Sequence, residues 1–291
     1  MILSAVIAYY GIMAVTRREL NLAVNDLSLA GTPIMVHASL RSFAEPVEGG
    51  VDGVLDVLLA NACTVLTPTF TESHFGVPPP SHMRPARNGV NYTELSNQSV
   101  GPTMRIFTVH CGLIDASMGI LPTRLLDRPG VLRGHHPLDS FAALGPHAEE
   151  LVATQSPTDV YAPLRALTEL GGSVLLLGVG LNRMTLLHLA EQRAGRRLSV
   201  RWARGTNGRV IAVETGSCSE GFPRLQTYLD MYARKTTVSR STWAVYPARE
   251  VVEVAARVIA ADPKLTRCAD SDCIRCPDSI GGGPIGTIAL G

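Results

Sequence analysis

The chain of 291 residues lacks a long hydrophobic run, although 46% of its residues are hydrophobic. A helix needs about 18 or more consecutive apolar residues to cross a bilayer, so no membrane-spanning segment is predicted. The chain also lacks an excess of charge of either sign, since its formal net charge is +1. Neither nucleic acid nor an anionic membrane is therefore an expected partner.

Several catalytic signatures are missing as well. The chain contains no G-x-S-x-G, no P-loop and no H-E-x-x-H motif. Gly178 and Gly180 begin a pattern that resembles a dinucleotide fingerprint, but Arg183 occupies the position of its third glycine. A nicotinamide-dependent dehydrogenase is excluded on this basis.

Cysteine is sparse, and its six copies are scattered along a chain without a recognisable secretory signal. This usage indicates a reducing compartment, and we predict a cytoplasmic protein. Cys268, Cys273 and Cys276 form a C-x4-C-x2-C pattern, to which Cys218 can add a fourth thiolate for structural zinc. The pattern is one cysteine short of paired C-x2-C knuckles, so a metal-free cluster is favoured and no catalytic metal is predicted.

Helical segments alternate with short apolar strands, which favours an α/β fold with a central mixed sheet flanked by helices. Thr16 and Glu19 form a capping box at the first helix. Residues 1–12 precede it, and we expect them to be an upstream extension of a single domain over residues 13–291. Residues 72–112 are rich in Pro, Ser, Asn and His, which predicts a long insertion that faces the substrate.

The most informative segment is residues 181–191 (LNRMTLLHLAE), which follows an apolar strand at 173–179. The pattern predicts a helix on which Thr185, His188 and Glu191 share one face. Ligands of open α/β sheets bind beyond the carboxyl ends of strands, where this helix would begin. The alternative is an ordinary polar face in contact with water.

A second candidate site follows the strand predicted at residues 33–38. Ser39 and Arg41, with the amides of the helix that starts near Gly49, can hold an anionic group such as a pyrophosphate. His37 is a candidate second imidazole of the active site. The alternatives are that Gly49 and Gly50 only end a loop before the helix, and that His37 is a hydrogen-bonded residue of the strand with no catalytic role.

Six ordered stretches together resemble the aminoglycoside 3-N-acetyltransferase family, over the chain from about residue 16 to its end. They are residues 36–40 (VHASL), 68–71 (PTFT), 117–122 (SMGILP), 129–137 (PGVLRGHHP) with Ser140, 185–191 (TLLHLAE) and 218–222 (CSEGF). The chain departs from the family in two places. Many relatives carry an Asp or Ser ahead of an Asn-Thr pair in the motif around residue 185, where this chain has Asn182-Arg183-Met184-Thr185, and residues 72–112 match the family only loosely.

The resemblance implies acetyl transfer from acetyl-CoA to the 3-amino group of an aminoglycoside antibiotic. It places His188 and Glu191 at the reacting centre, with Thr185 as support and His37 in reserve. The residues expected to face acetyl-CoA are His37, Ser39, Leu40, Arg41, Val47, Gly49, Thr69 and Ser117.

The proposed chemistry suits these side chains. An amine must lose a proton to attack a thioester, and an imidazole with an ordinary pKa of about 6.5 is largely neutral at pH 7. The polycationic substrate calls for carboxylates, and Glu72, Glu94 and Asp115 are the candidates, although each is equally well explained as a solvated loop charge. Two alternatives stay open: an acetyltransferase of this fold that acts on another small amine, and a non-catalytic, zinc-stabilised binding protein.

Overall fold

A computed structural model describes residues 14–92 and 105–281. The extension expected at residues 1–12 and the candidate Glu94 lie outside these ranges. The strands are β1 Pro33–Ala38, β2 Thr64–Pro68, β3 Leu132–Arg133, β4 Phe141–Leu144, β5 Ser173–Leu177, β6 Ser199–Arg204, β7 Val210–Thr215, β8 Arg234–Val238 and β9 Ser241–Pro247. The helices are α1 Arg17–Asp26, α2 Gly50–Ala60, α3 Glu72–Phe75, α4 Ile120–Leu126, α5 Ala148–Val152, α6 Ala162–Glu169, α7 Leu186–Arg193, α8 Gln226–Leu229, α9 Ala248–Ala261 and α10 Arg275–Ile280.

In the described part of the chain, seven strands form one mixed sheet in the order β3-β4-β2-β1-β5-β9-β8. The central strand β1 runs parallel to both β2 and β5, and the remaining pairs are antiparallel. The predicted α/β class with a mixed sheet and flanking helices is confirmed. Strands β6 and β7 form a separate antiparallel hairpin.

Hydrophobic cores lie on both faces of the sheet because side chains alternate along each strand. Ile34 of β1 packs on the face covered by α1, α2 and α4. Met35, the next residue, packs on the face covered by α5, α6, α7 and α9. Leu175 and Leu176 of β5 divide between the two faces in the same way. Full burial of each such side chain contributes roughly 1.5–3 kcal/mol, which accounts for the continuous apolar pattern of β1 and β5.

The hairpin of β6 and β7 carries the part of the chain predicted as an insertion. Trp202 of β6 contacts Tyr92 edge to face, with ring centroids 5.6 Å apart. Phe75 contacts Phe107 in the same manner at 5.6 Å, and both pack with Val213 of β7. The described ends of the insertion thus have a small hydrophobic core of their own.

Several elements differ from the sequence prediction. Strands β3, β6, β8 and β9 and helix α10 were not predicted from the sequence, and residues 72–112 contain the short helix α3 where only loop was expected. The helix predicted over residues 181–191 is broken: a 3-10 turn at Leu181–Arg183 ends at Met184, whose ψ of 87° is not helical, and α7 begins at Leu186. Among the described residues, no helix is long and apolar enough to cross a membrane.

Candidate active site

The candidate site lies at the carboxyl ends of β1 and β5, which are adjacent and parallel. The chain leaves β1 toward α2 on one face of the sheet and leaves β5 toward α7 on the other. Such a divergence opens a crevice between the two strand ends. A cavity of about 840 Å³ occupies this position.

His188 and Glu191 form a buried pair in the wall of this cavity. The Nδ1 atom of His188 lies 2.8 Å from Oε2 of Glu191. His188 is 8% exposed and Glu191 is 4% exposed, so the alternative of a polar face in contact with water is wrong. Since a carboxylate only accepts hydrogen bonds, Nδ1 carries the proton and Nε2 is left as the basic nitrogen.

The other oxygen of Glu191 is also fully engaged. Its Oε1 accepts a hydrogen bond of 2.9 Å from Oγ1 of Thr266 and an ion-pair contact from Arg196. The carboxylate is therefore fixed from three directions, and the orientation of the His188 ring is fixed with it. Neither residue was predicted: Arg196 follows the end of α7, five residues after Glu191, and Thr266 lies 75 residues after it.

Two aromatic rings and one glycine surround the His188 imidazole. Tyr161 is stacked parallel to it with centroids 6.3 Å apart, and Phe222 meets it edge-on at 4.8 Å. A Cβ atom placed on Gly216 would lie 3.7 Å from Nε2 of His188 and 3.0 Å from Oη of Tyr161. The absence of a side chain at this glycine keeps the basic nitrogen open to the cavity.

His37 lies in the cavity wall at the end of β1 and has a different environment. Burial, and then the nearby charge of Arg183, lower the pKa of His37 to about 3. Its Nε2 atom is buried and has no hydrogen-bond partner among the described residues. His37 is therefore a neutral imidazole over the whole physiological pH range.

The structure divides the residues predicted to face acetyl-CoA. Val47 and Gly49 lie before α2, where Val47 forms a backbone bridge with Val15. Thr69 is fully buried and hydrogen-bonded to Ser140 instead of facing the cavity. The remaining members of that set line the cavity, and they are His37, Ser39, Leu40, Arg41 and Ser117.

The structure places the predicted substrate-binding carboxylates in different environments. Glu72 lines the cavity and lies 3.5 Å from the guanidinium of Arg201. Asp115 accepts hydrogen bonds from the backbone and hydroxyl of Ser73, and it shapes the loop beside the cavity. Asp139 also lines the cavity, and the sequence analysis did not identify it as a site residue.

Asp139 is the most strongly perturbed carboxyl group of the cavity wall. The pKa of Asp139 is raised to about 7. Burial is the main cause, and the negative charge of Glu72 is the second. The amide of Gly216 donates a hydrogen bond of 3.3 Å to its Oδ2 atom. A carboxyl group in this state can exchange a proton near neutral pH and can contact a cationic ligand.

Four cysteines converge beside the cavity, and we refer to them as the four-cysteine cluster: Cys218, Cys268, Cys273 and Cys276. Their sulfur atoms all lie within 4.8 Å of one another. The loop after β7 that carries Cys218 also supplies Gly216 and Ser217 to the cavity wall.

Solved structures with this architecture include several aminoglycoside acetyltransferases. A mutant of AAC(3)-IVa in complex with a gentamicin matches with a TM-score of 0.73 and 23% identity, over 93% of this chain and 98% of that chain. AAC-IIIb in binary complex with CoASH matches with a TM-score of 0.67 and 24% identity, over 89% of this chain and 100% of that one. These similarities define the fold as that of the aminoglycoside acetyltransferases.

The family follows from the sequence. The model of the family described as aminoglycoside 3-N-acetyltransferase matches residues 35–260, and the chain belongs to that family. Aminoglycoside N(3)-acetyltransferase III from Salmonella sp is 31% identical over 180 residues, which are 60% of each chain. Aminoglycoside N(3)-acetyltransferase IX from Micromonospora chalcea is 32% identical over 62% of this chain and 63% of its own length. The chain thus spans less than two thirds of these relatives.

Proposed function

We propose that this chain transfers the acetyl group of acetyl-CoA to the 3-amino group of an aminoglycoside antibiotic, and so inactivates the drug. The observation that carries the proposal is the His188–Glu191 pair, whose 2.8 Å contact orients a basic nitrogen toward the large cavity. Family membership and the names of the relatives and structural neighbours support the choice of both substrates.

His188 acts as the general base in this proposal. Its Nε2 removes a proton as the amine nitrogen bonds to the thioester carbon, and the CoA thiolate leaves as the carbon–sulfur bond breaks. Glu191 stabilises the imidazolium that forms, since its carboxylate is already hydrogen-bonded to Nδ1. Thr185 lines the same cavity, and we assign to it a hydrogen bond to the thioester oxygen. A base of this kind contributes roughly 100-fold to 10,000-fold to the rate.

The two substrates would approach from different parts of the cavity. Ser39 and Arg41 follow β1 and provide polar and cationic groups for the pantetheine and pyrophosphate of acetyl-CoA. Glu72 and Asp139 provide carboxylates for the polycationic antibiotic. The pKa of His37 is lowered to about 3, so its nitrogen is a poor proton acceptor near neutral pH, and we assign His37 to positioning of acetyl-CoA.

The test is release of free thiol from acetyl-CoA in the presence of a panel of aminoglycosides. We expect turnover by the wild type and a loss of at least about 100-fold in kcat for His188→Ala. His147→Ala is the matched control, because His147 contacts Glu150 with the same spacing at 2.9 Å but is partly exposed and does not line the cavity. That variant should keep full activity.

The possible results separate the alternatives. Turnover with other small amines, but with none of the antibiotics, would favour an acetyltransferase of different substrate class. Binding of CoA without any turnover would favour a non-catalytic protein. Active wild type with a loss below about tenfold in His188→Ala would show that His188 is not the base.

A further inference from the structure

We propose that the four-cysteine cluster is a structural zinc site. The proposal concerns the stability of the cavity wall, and it stands or falls independently of the acetyl transfer proposed above. The C-x2-C pair Cys273 and Cys276 is a common element of zinc sites, and the fold supplies the other two sulfur atoms from Cys268 and Cys218.

The distances between the sulfur atoms suit one tetrahedral ion. A zinc ion with Zn–S bonds of about 2.3 Å places its sulfur ligands about 3.8 Å apart. The sulfur atoms of Cys268 and Cys276 are 3.6 Å apart, and all four lie within 4.8 Å of one another. A disulfide would require about 2.05 Å, and all six cysteines are free.

The surroundings of the sulfur atoms also fit thiolates. Cys268 and Cys276 are 8% and 4% exposed, so the cluster is shielded from water on one side. The backbone amide of Cys268 donates a hydrogen bond of 3.4 Å to Sγ of Cys276. Amide donors of this type commonly support the ligands of metal–thiolate sites. Zinc binding releases the thiol protons and requires no oxidant or reductant.

The position of the cluster gives the ion a structural role. The loop that carries Cys218 packs very closely against the segment that carries Cys268, since a Cβ atom on Gly221 would lie only 1.9 Å from the carbonyl oxygen of Thr266. Thr266 holds Glu191, and Arg275 lines the cavity on the same segment. A metal that joins Cys218 to this segment would therefore fix both the support of the His188–Glu191 pair and one wall of the cavity.

The first test is the metal content of the full chain, purified without chelators after removal of any tag. Mass spectrometry of the metals should find about one zinc per chain in the wild type. Cys273→Ser, which changes a partly exposed ligand, should lose most of the zinc. Cys111→Ser is the matched control outside the cluster and should retain it. Folding of each variant is checked by circular dichroism.

Two further measurements keep the proposal testable if a variant fails to fold. Wild type loaded with Co²⁺ should show the intense visible bands of a tetrahedral thiolate site. Chelation should lower the Tm by on the order of 5 °C or more and speed hydrogen exchange in residues 216–221 and 266–276, but not in α2. The proposal would be overturned if folded wild type stays free of zinc after incubation with zinc, or if it holds iron instead. It would also be overturned if the Cys273→Ser variant keeps its zinc.

Discussion

The Nδ1 atom of His188 and the Oε2 atom of Glu191 are 2.8 Å apart, and both side chains are buried at the edge of the cavity. Another pair on the chain has the same i,i+3 spacing: His147 and Glu150, at 2.9 Å. The second pair is partly exposed, lies at the start of β2, where the amide of His147 donates to Thr64, and does not line the cavity. Burial and position, and not the spacing alone, therefore distinguish the candidate catalytic pair.

Glu191→Gln tests this relationship. The change removes the negative charge that stabilises the His188 imidazolium, and we expect kcat to fall by at least about tenfold in a folded protein. It also leaves the buried guanidinium of Arg196 without its carboxylate, at a cost of roughly 3–5 kcal/mol in the free energy of unfolding. Steady-state kinetics and urea denaturation measure the two effects. Glu150→Gln should change neither, and an unchanged kcat in Glu191→Gln would remove Glu191 from the mechanism.

Gly216→Ala tests access to the base. The new methyl group would lie 3.7 Å from Nε2 of His188, so it would cover the nitrogen that must reach the amine. We expect a loss of about tenfold or more in kcat. We also expect a lower Tm, because the methyl group would lie 3.0 Å from Oη of the buried Tyr161, although the backbone at this position is accessible to any residue. Gly112→Ala, in open space, is the control.

A double variant distinguishes steric crowding of Tyr161 from blocked access to Nε2 of His188 at residue 216. The methyl group on residue 216 would also lie 3.0 Å from Oη of Tyr161. Tyr161→Phe relieves that contact but leaves Nε2 of His188 covered. Gly216→Ala with Tyr161→Phe should therefore regain stability and stay slow. Recovery of full activity by the double variant would show that access to Nε2 is not limiting.

The sequence predicted the centre of the fold well and its edges poorly. Strands β1 and β5 are continuous apolar runs, so their position and their burial could be predicted from the pattern. The turn between β8 and β9 was missed because its left-handed residue is Ser239, with φ of 52°, and not the glycine or asparagine that marks a hairpin. Ser239 is held there by a hydrogen bond to the carbonyl of Phe43, 196 residues away.

The same limit applies to the site. His188 and Glu191 were recognised because they are three residues apart on one helix. Asp139 and Thr266 were not, because their roles depend on contacts between distant segments. Arg196 is only five residues from Glu191, but it follows the end of α7 and so does not share the helical spacing that identified the pair. The cysteine spacing favoured a metal-free cluster because it is one cysteine short of paired C-x2-C knuckles. Spacing alone does not give the distances between the sulfur atoms, which the folded chain brings within 4.8 Å of one another.

Asp139 predicts a pH dependence of stability. Its pKa rises from about 3.8 in the unfolded chain to about 7 in the folded protein, chiefly through burial. Between these values the folded state binds more protons than the unfolded state, so stability falls as pH rises. The free energy of unfolding of the wild type, relative to Asp139→Asn, should drop by about 2–3 kcal/mol between pH 5 and pH 8. Denaturation curves at several pH values measure this difference, and parallel pH profiles for the two proteins would contradict it.

Arg133 anchors the loop of residues 107–113. The residue is 5% exposed, and its guanidinium donates to the carbonyl oxygens of Thr69, Cys111 and Leu113, with distances of 2.6, 2.6 and 3.2 Å. It also lies over the ring of Phe107, 5.0 Å from the centroid. One side chain thus ties residues 107–113 to the end of β2, next to the wall that carries Glu72.

Arg133→Met keeps most of the apolar volume but removes every donor. The carbonyl oxygens left without partners should lower the free energy of unfolding by about 3 kcal/mol, and limited proteolysis should cut faster within residues 105–115. Arg133→Lys should recover only part of the stability, because one ammonium cannot reproduce the planar fork of donors. Arg18→Met, on the exposed side of α1, is the control and should change stability by less than about 0.5 kcal/mol. If Arg133→Met is as stable as this control, the loop is held by its apolar contacts with β7 and not by the guanidinium.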